Sequence, residues 1–209
     1  MARRTKEDAE ATRDRLLDAA EQVFYERGVS GASLADVANR AGLTRGAVYW
    51  HFKDKLDLFG AVVQRVWLPI EQALVSETLG GGDSLPVVRI LQRFALIARA
   101  VSVDGRVRRI FEIAMFKVEH VGELAAVQQR WVQGGDRFMV LLEQDLAMAY
   151  AGLKGRALLA EELAAKGLRA LFDGLLYAWL LRQGSFPLED ESQQLVRFYL
   201  SGLGLEIEK

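Results

Sequence analysis

The stretch SLADVANRAGLTRGAVYWHF, Ser33 to Phe52, decides the fold of this chain. Ser33 precedes the apolar positions Leu34, Val37, Ala38 and Ala41, and its hydroxyl suits the free N–H groups of a first helical turn. Gly42 can take the left-handed conformation that ends a helix, and Thr44 can cap the next one. Ala38 is small enough for that second helix to cross closely. On the second helix Val48 and Phe52 lie four apart and share an inner face, whereas Gly46, Tyr49 and Trp50 fall largely on the other side. The narrow inner face has no room for both adjacent aromatics as well, so at least one is expected outside.

Two short helices joined by a tight turn, with Arg45 on the first turn of the second, form a helix-turn-helix whose second helix suits a DNA groove. The small Gly46 allows close approach, the Arg45 guanidinium can meet guanine edges in bidentate fashion, and Tyr49 and His51 can reach phosphates. Lys55 opens the following helix, where an ammonium and a helix N-terminus can hold one phosphate. The candidate DNA-binding residues are therefore Ser33, Thr44, Arg45, Gly46, Tyr49, Trp50, His51 and Lys55. Taken singly, an aromatic pair or a histidine is usually core or solvated surface; here spacing, caps and exposed chemistry agree.

The helix before the motif is expected from about Glu7 to Arg27, burying Leu16, Leu17, Ala20, Val23 and Phe24 and stopping at Gly28. The helix after it is expected from about Lys55 to Glu77 on Leu58, Val62, Val66 and Ile70. Pro69 lies inside it and is expected to bend the axis as a hinge between domains. GGGDS from Gly80 breaks it and reads as a surface connection, since it lacks the GK[ST] of a phosphate-cradling loop. Five further helices are expected, at Leu85 to Val101, Gly105 to Phe116, Val121 to about Ala151, Leu158 to Gln183 and Leu188 to about Leu203. No strand pattern or internal repeat competes with them.

The chain has 209 residues, 51% hydrophobic and 26% charged, enough to bury a sizeable core in one or two domains. There is no cysteine, which excludes disulfides, thiolate metal sites and cysteine nucleophiles. The basic start MARRTKED leads into no apolar segment, and the longest apolar run, LLYAWLL from Leu175, is too short for a bilayer. A cytoplasmic location is expected, with the protein on the nucleoid when DNA-bound. Net charge is −1, but the first 60 residues segregate their ten basic and ten acidic side chains. Arg3, Arg4 and Lys6 precede the first acid, and Arg40, Arg45, Lys53 and Lys55 surround only Asp54, so the binding edge is expected to be basic. The first six residues read either as a solvated terminus or as an arm that touches DNA.

From Ala2 to about Trp67 the chain resembles the TetR family of bacterial transcriptional regulators, and within it the AcrR-like branch that governs multidrug efflux pumps. ARRTKEDAEATRDRLLDAA, VFYERGVS and SLADVANRAGLTRGAVYWHFKDKLDLF carry the likeness, with weaker support from Gly105 to Arg130 and Phe172 to Leu181. The resemblance implies an all-α, nine-helix, two-domain architecture. Residues 1–56 would form the three-helix DNA-binding domain, with the motif at 33–52. Residues 57–209 would form the effector-binding and dimerisation domain. It further implies a homodimeric repressor, released from a palindromic double-stranded operator by a small hydrophobic effector such as an antibiotic, dye, solvent or plant aromatic. The regulated genes would be a multidrug efflux operon and its own.

Positions matching the family's cavity give Trp67, Ile90, Phe94, Ile97, Phe111, Met115, Phe138, Leu142, Phe172, Asp173 and Leu176. Most are large and apolar, a lining that tolerates varied ligands. Asp173 either receives a cation or ligand hydroxyl or pairs with a nearby Arg. Phe111 and Met115 stand where relatives carry polar residues, which implies a more apolar ligand. Gly134 and Gly135 make room mid-helix for ligand or a close crossing. Leu168, Leu171, Phe172, Leu175, Leu176, Trp179 and Leu180 surround the penultimate helix, and Leu195, Val196, Tyr199, Leu200 and Leu203 stripe the last, as a four-helix dimer contact needs.

No metal or cofactor is expected. Two histidines, His51 and His120, and no paired-carboxylate motif leave little for acid–base or metal chemistry, so the chain does not read as an enzyme. The alternative is a helical small-molecule binding protein, or an activator or ligand-independent regulator, without a role in efflux.

Overall fold

The computed structural model describes residues 2–76, 85–118, 125–153 and 157–205, and the side chains of all of these except 2–5 and 125–134. Nine α-helices and no strand occur among them. The GGGDS loop, His120, the Trp131 side chain and any role of Gly134 lie outside what is described, as do the side chains of Arg3 and Arg4.

Helix α1 (Ala2–Gly31) is interrupted at Gly28, whose φ of 71° and ψ of 166° are non-helical. A left-handed φ favours glycine there. The next N–H, on Val29, donates to the Lys117 carbonyl at 3.1 Å. Upstream, Leu16, Leu17, Ala20, Val23 and Phe24 are buried as expected. Helices α2 (Leu34–Ala41) and α3 (Arg45–His51) follow, and Leu34, Val37, Ala38, Val48 and Phe52 complete this core. Helix α4 (Lys55–Val75) contributes Leu58, Phe59 and Val62, the Phe59 ring standing edge-on to Phe24 at 5.4 Å.

Pro69 lies inside α4. With no N–H to donate, it leaves the carbonyl one turn back without its helical partner. The chain divides into two compact units, and one division falls between Trp67 and Leu68, just before this proline. The units are discontinuous: the first joins Met1–Trp67 to Arg109–Trp131, the second Leu68–Arg108 to Val132–Lys209. They therefore differ from a single cut after residue 56, because α4, α6 (Gly105–Phe116) and α7 (Ala125–Tyr150) each contribute to both.

In the first unit Glu21 of α1 is buried and receives the Arg109 guanidinium of α6 at 2.7 Å. Arg65 of α4 stands 3.5 Å from the same carboxylate and 2.9 Å from Asp18. Lys117 donates to the Tyr25 carbonyl and lies 4.0 Å from the centre of the Tyr25 ring. One buried carboxylate thus joins three helices.

The second unit packs α5 (Pro86–Val103), α8 (Glu161–Leu181) and α9 (Leu188–Gly202) with parts of α4 and α7. Phe94 of α5 meets Phe138 of α7 edge-on at 5.3 Å and Phe172 of α8 at 5.0 Å. Buried Asp145 accepts from Arg89 at 2.8 Å and Arg93 at 2.9 Å, and Arg93 also donates to the Leu74 carbonyl in the last turn of α4. Buried charge is tolerated because every group here is paired. Gln193 of α9 donates to the Leu91 carbonyl at 2.7 Å.

Helix α8 is shorter than its apolar pattern suggests. It begins at Glu161, leaving Leu158 and Leu159 exposed, and ends at Leu181 because Gln183 and Gly184 take φ of 54° and 80° and turn the chain. No described helix is long and apolar enough to cross a membrane.

Candidate nucleic-acid interface and effector-binding interior

Each signal of the helix-turn-helix is realised in backbone geometry. The Ser33 hydroxyl accepts from the Asp36 N–H at 3.1 Å, and Asp36 accepts from the Ser33 N–H at 3.0 Å. This reciprocal capping box starts α2. The Ser33 hydroxyl also donates to Asp36 at 2.6 Å, so its work here is to hold the motif. These bonds, before Arg27, hold the Asp36 carboxyl below its ordinary range. Gly42 sits at φ 64°, ψ 35°, and Leu43 donates to the Ala38 carbonyl at 2.9 Å, closing the turn in the Schellman pattern. Arg15 reaches the Ala41 carbonyl at 2.8 Å. Thr44 then caps α3, its hydroxyl accepting from Ala47 at 3.2 Å.

Val48 is fully buried and Phe52 nearly so, and the remaining side of α3 faces outward. Both aromatics in question are exposed, Tyr49 at 48% and Trp50 at 72%. Arg45 and Gly46 are exposed one turn earlier, and the backbone at Gly46 is open enough that an added Cβ would meet only the Thr44 hydroxyl at 3.8 Å. Arg45 donates to the Tyr49 hydroxyl at 3.0 Å. His51 is half-buried, edge-on to Trp50 at 4.4 Å. Burial, then the charge of Arg13, lowers its pKa. Arg13 is a neighbour the motif did not announce: from α1 it lies 5.3 Å from the Phe52 ring centre. Its one signal was its position a turn before the buried Leu16–Leu17 pair.

Two of the basic side chains are employed differently from the expectation. Lys55 donates to the Ser30 carbonyl at 3.0 Å and the Ala32 carbonyl at 2.9 Å. An ammonium has three donors, so most of its capacity ties the start of α4 to the α1–α2 connection rather than facing a phosphate. Arg40 forks onto Glu26 at 2.5 and 3.0 Å and also reaches Gln22 at 3.0 Å. The basic edge is therefore narrower than the sequence suggested, because Glu26 and the two carbonyls come from the end of α1 and its connection to α2, remote in sequence.

The effector candidates fall in both units. In the second, Ile90, Phe94, Ile97, Phe138, Leu142, Phe172 and Leu176 are all buried, gathered about the Phe94–Phe138–Phe172 cluster. Asp173 pairs with Arg169 at 2.7 Å. The Arg169 guanidinium lies 5.6 Å from the Phe138 ring centre, and the space left by Gly135 receives it. In the first unit Trp67 packs on Phe111 at 5.9 Å and Met115 is half-buried.

A family model described as bacterial regulatory proteins, tetR family, matches residues 16–62, and one described as MAATS-type transcriptional repressor, C-terminal region, matches residues 85–204. Over 205 residues the chain is 37% identical to the HTH-type transcriptional regulator AcrR of Shigella flexneri, covering 96% of this chain and 93% of that protein. Native NalD, the secondary repressor of the MexAB-OprM multidrug efflux pump in Pseudomonas aeruginosa, aligns with a TM-score of 0.79 at 35% identity, over 93% of this chain and 98% of that one. SmeT, repressor of the Stenotrophomonas maltophilia pump SmeDEF, aligns in its complex with triclosan with a TM-score of 0.74 at 29% identity, over 92% of this chain and 91% of that one. The C-terminal match alone spans more than half of the sequence, and with the capped motif at Ser33–Phe52 it identifies the chain as a helix-turn-helix transcriptional repressor that belongs to the TetR family of bacterial regulatory proteins.

Proposed function

We propose that this repressor controls a multidrug efflux operon together with its own gene, and that a small hydrophobic effector bound in the C-terminal part releases it from a palindromic operator. The observation that carries the DNA side is the division of α3: Val48 and Phe52 are sealed inward, and Arg45, Tyr49 and Trp50 stand together outside. Arg45 addresses base edges, while Thr44, Tyr49 and Trp50 lie against sugar and phosphate, with Gly46 allowing the approach. Residues 1–56 supply this function and residues 57–209 the effector and dimer functions.

The effector reading rests on the aromatic interior at Phe94, Phe138 and Phe172, and on the named roles of NalD and SmeT in efflux repression, SmeT being held with triclosan. The dimer reading rests on an exposed apolar strip: Leu163, Tyr177 and Leu181 of α8, with Leu195 and Phe198 of α9. At Gly174 and Gly202 an added Cβ would meet nothing within 4 Å, which leaves room for a partner helix. A dimer sets two recognition helices about 34 to 36 Å apart, one turn of duplex. The protein acts in the cytoplasm and without catalysis.

The test is operator binding by fluorescence anisotropy on palindromic fragments flanking its gene, with and without hydrophobic antibiotics or dyes. Sequence-specific binding that the compounds reverse is the expected result. Equal affinity for all fragments would end the repressor reading, and a complex indifferent to every compound would end effector control.

A further inference from the structure

Three methionines fall among the described residues, and they are placed differently. Met115 of α6 and Met139 of α7 are half-buried, whereas Met148, in the last turn of α7, is 55% exposed. Oxidation of a methionine follows solvent access, because the oxidant must reach a sulfur lone pair. Exposure alone makes Met148 open to that reaction and nothing more.

What distinguishes Met148 is the group aimed at its sulfur. Arg89 of α5 donates from Nη2 to the Met148 Sδ at 3.2 Å. The same guanidinium holds the buried Asp145 carboxylate, with Nε donating at 2.8 Å and Nη2 lying 2.7 Å from Oδ1. Nη2 carries two hydrogens, so one serves the carboxylate and the other the sulfur. Asp145 in turn accepts from Arg93, which reaches the Leu74 carbonyl. A thioether is a weak acceptor, whereas a sulfoxide oxygen is a strong one. The thioether also has two lone pairs, and with one engaged by Arg89 the second remains for an oxidant at this exposed position.

We propose that Met148 is a site of reversible sulfoxidation by hydrogen peroxide, and that the Arg89 guanidinium receives the new sulfoxide oxygen. The second sulfur lone pair attacks one peroxide oxygen and the O–O bond breaks. The leaving hydroxide takes the proton of the transferred oxygen and departs as water. Sulfur is oxidised by two electrons and the peroxide reduced by two, so no further reactant is needed. The unbranched side chain, with its three rotatable bonds, then turns the S–O bond onto the guanidinium. A polar, chiral group of this kind disrupts a core, but here it gains a charge-assisted hydrogen bond and leaves Asp145 in place. Methionine sulfoxide reductases reverse the change.

The full-length protein is exposed to dilute hydrogen peroxide and followed by peptide mass spectrometry, thermal melting and the NMR signal of the Arg89 Nε–H. Met148 is expected to gain an oxygen about fivefold or more faster than Met115 and Met139, as its exposure dictates. The protein oxidised only at Met148 should melt no more than about 1 °C below the untreated one, less than the loss of a single contact gives at this chain length. The Arg89 signal should move on oxidation and return after reductase treatment. Met148→Leu should lose the fast reaction and leave the Arg89 signal indifferent to peroxide. The proposal is overturned if Met115 or Met139 oxidises as fast as Met148, if oxidation at Met148 costs more than that in melting temperature, or if the Arg89 signal does not move.

Discussion

Arg45 and Tyr49 are joined on the exposed face of α3: the guanidinium donates to the hydroxyl at 3.0 Å and lies 5.4 Å from the ring centre. The arginine is thereby held along the helix before any DNA arrives, which lowers the ordering cost of binding. Arg45→Ala is expected to cost about 1 to 3 kcal/mol of operator affinity and to relax base preference at one position of each half-site. Tyr49→Phe, which keeps the ring and removes the tether, should cost less and leave base preference intact. Anisotropy titrations against single-base operator variants separate the two effects.

Lys55 carries a different expectation. Its two bonds to the Ser30 and Ala32 carbonyls fasten the α1–α2 connection to α4. Lys55→Ala should lower stability by about 1 to 2 kcal/mol, a solvent-discounted figure for charge-assisted bonds at a half-buried site. The slope of log affinity against log salt should stay as in the wild type. A slope shallower by about 0.9 would show that the ammonium also neutralises a phosphate.

Glu21 is the one buried carboxylate that α4 and α6 both address from α1. Glu21→Ala takes the countercharge from Arg109 and leaves Arg65 with Asp18 alone, and should destabilise by about 2 to 3 kcal/mol. That lies below the range for fully buried pairs because Arg109 is partly hydrated. Denaturant melts of Glu21→Ala, Arg109→Ala and the double variant would measure the coupling, and additive losses would show that the pair contributes nothing jointly.

His51 gives the stability a pH component. Burial and then Arg13 hold its pKa below the ordinary 6.5, so between that lowered value and 6.5 the unfolded chain binds more protons than the folded one. Stability from this group is complete above 6.5 and falls as pH drops below it. His51→Gln should flatten that limb, and an NMR titration placing the His51 imidazole at or above 6.5 would contradict it.

Phe198 is 79% exposed on α9. Phe198→Glu is expected to convert a dimer into a species of 23.3 kDa in sedimentation, and to abolish cooperative binding to a palindrome. A wild type that already sediments at that mass would refute the dimer.

What could be read from the sequence was what neighbours along the chain determine. Ser33, Gly42 and Thr44 announce their roles because a cap or turn is set within four residues, and Val48 against Tyr49 and Trp50 follows from helical spacing. The employment of Lys55, Arg40 and Glu21 was not legible, since their partners lie 14 to 88 residues away and helix pairing chooses them. Asp173 was half legible: Arg169 stands one turn before it, but nothing local says whether a ligand competes. The Glu71–Arg137 pair was invisible, because a glutamate on α4 and an arginine on α7 look like ordinary solvated surface until the helices are brought together.

The recognition helix is seven residues long, too short to persist in water without the scaffold that encloses Val48 and Phe52. Its reading surface therefore exists only while the three-helix unit is folded. A cell that carried a marginally stable copy of this protein would lose repression on a modest rise in temperature, with no drug present, and regain it on cooling. Heat would mimic the inducer, and variants selected for constitutive drug resistance should be found in the α1 and α4 core as readily as on the exposed side of α3.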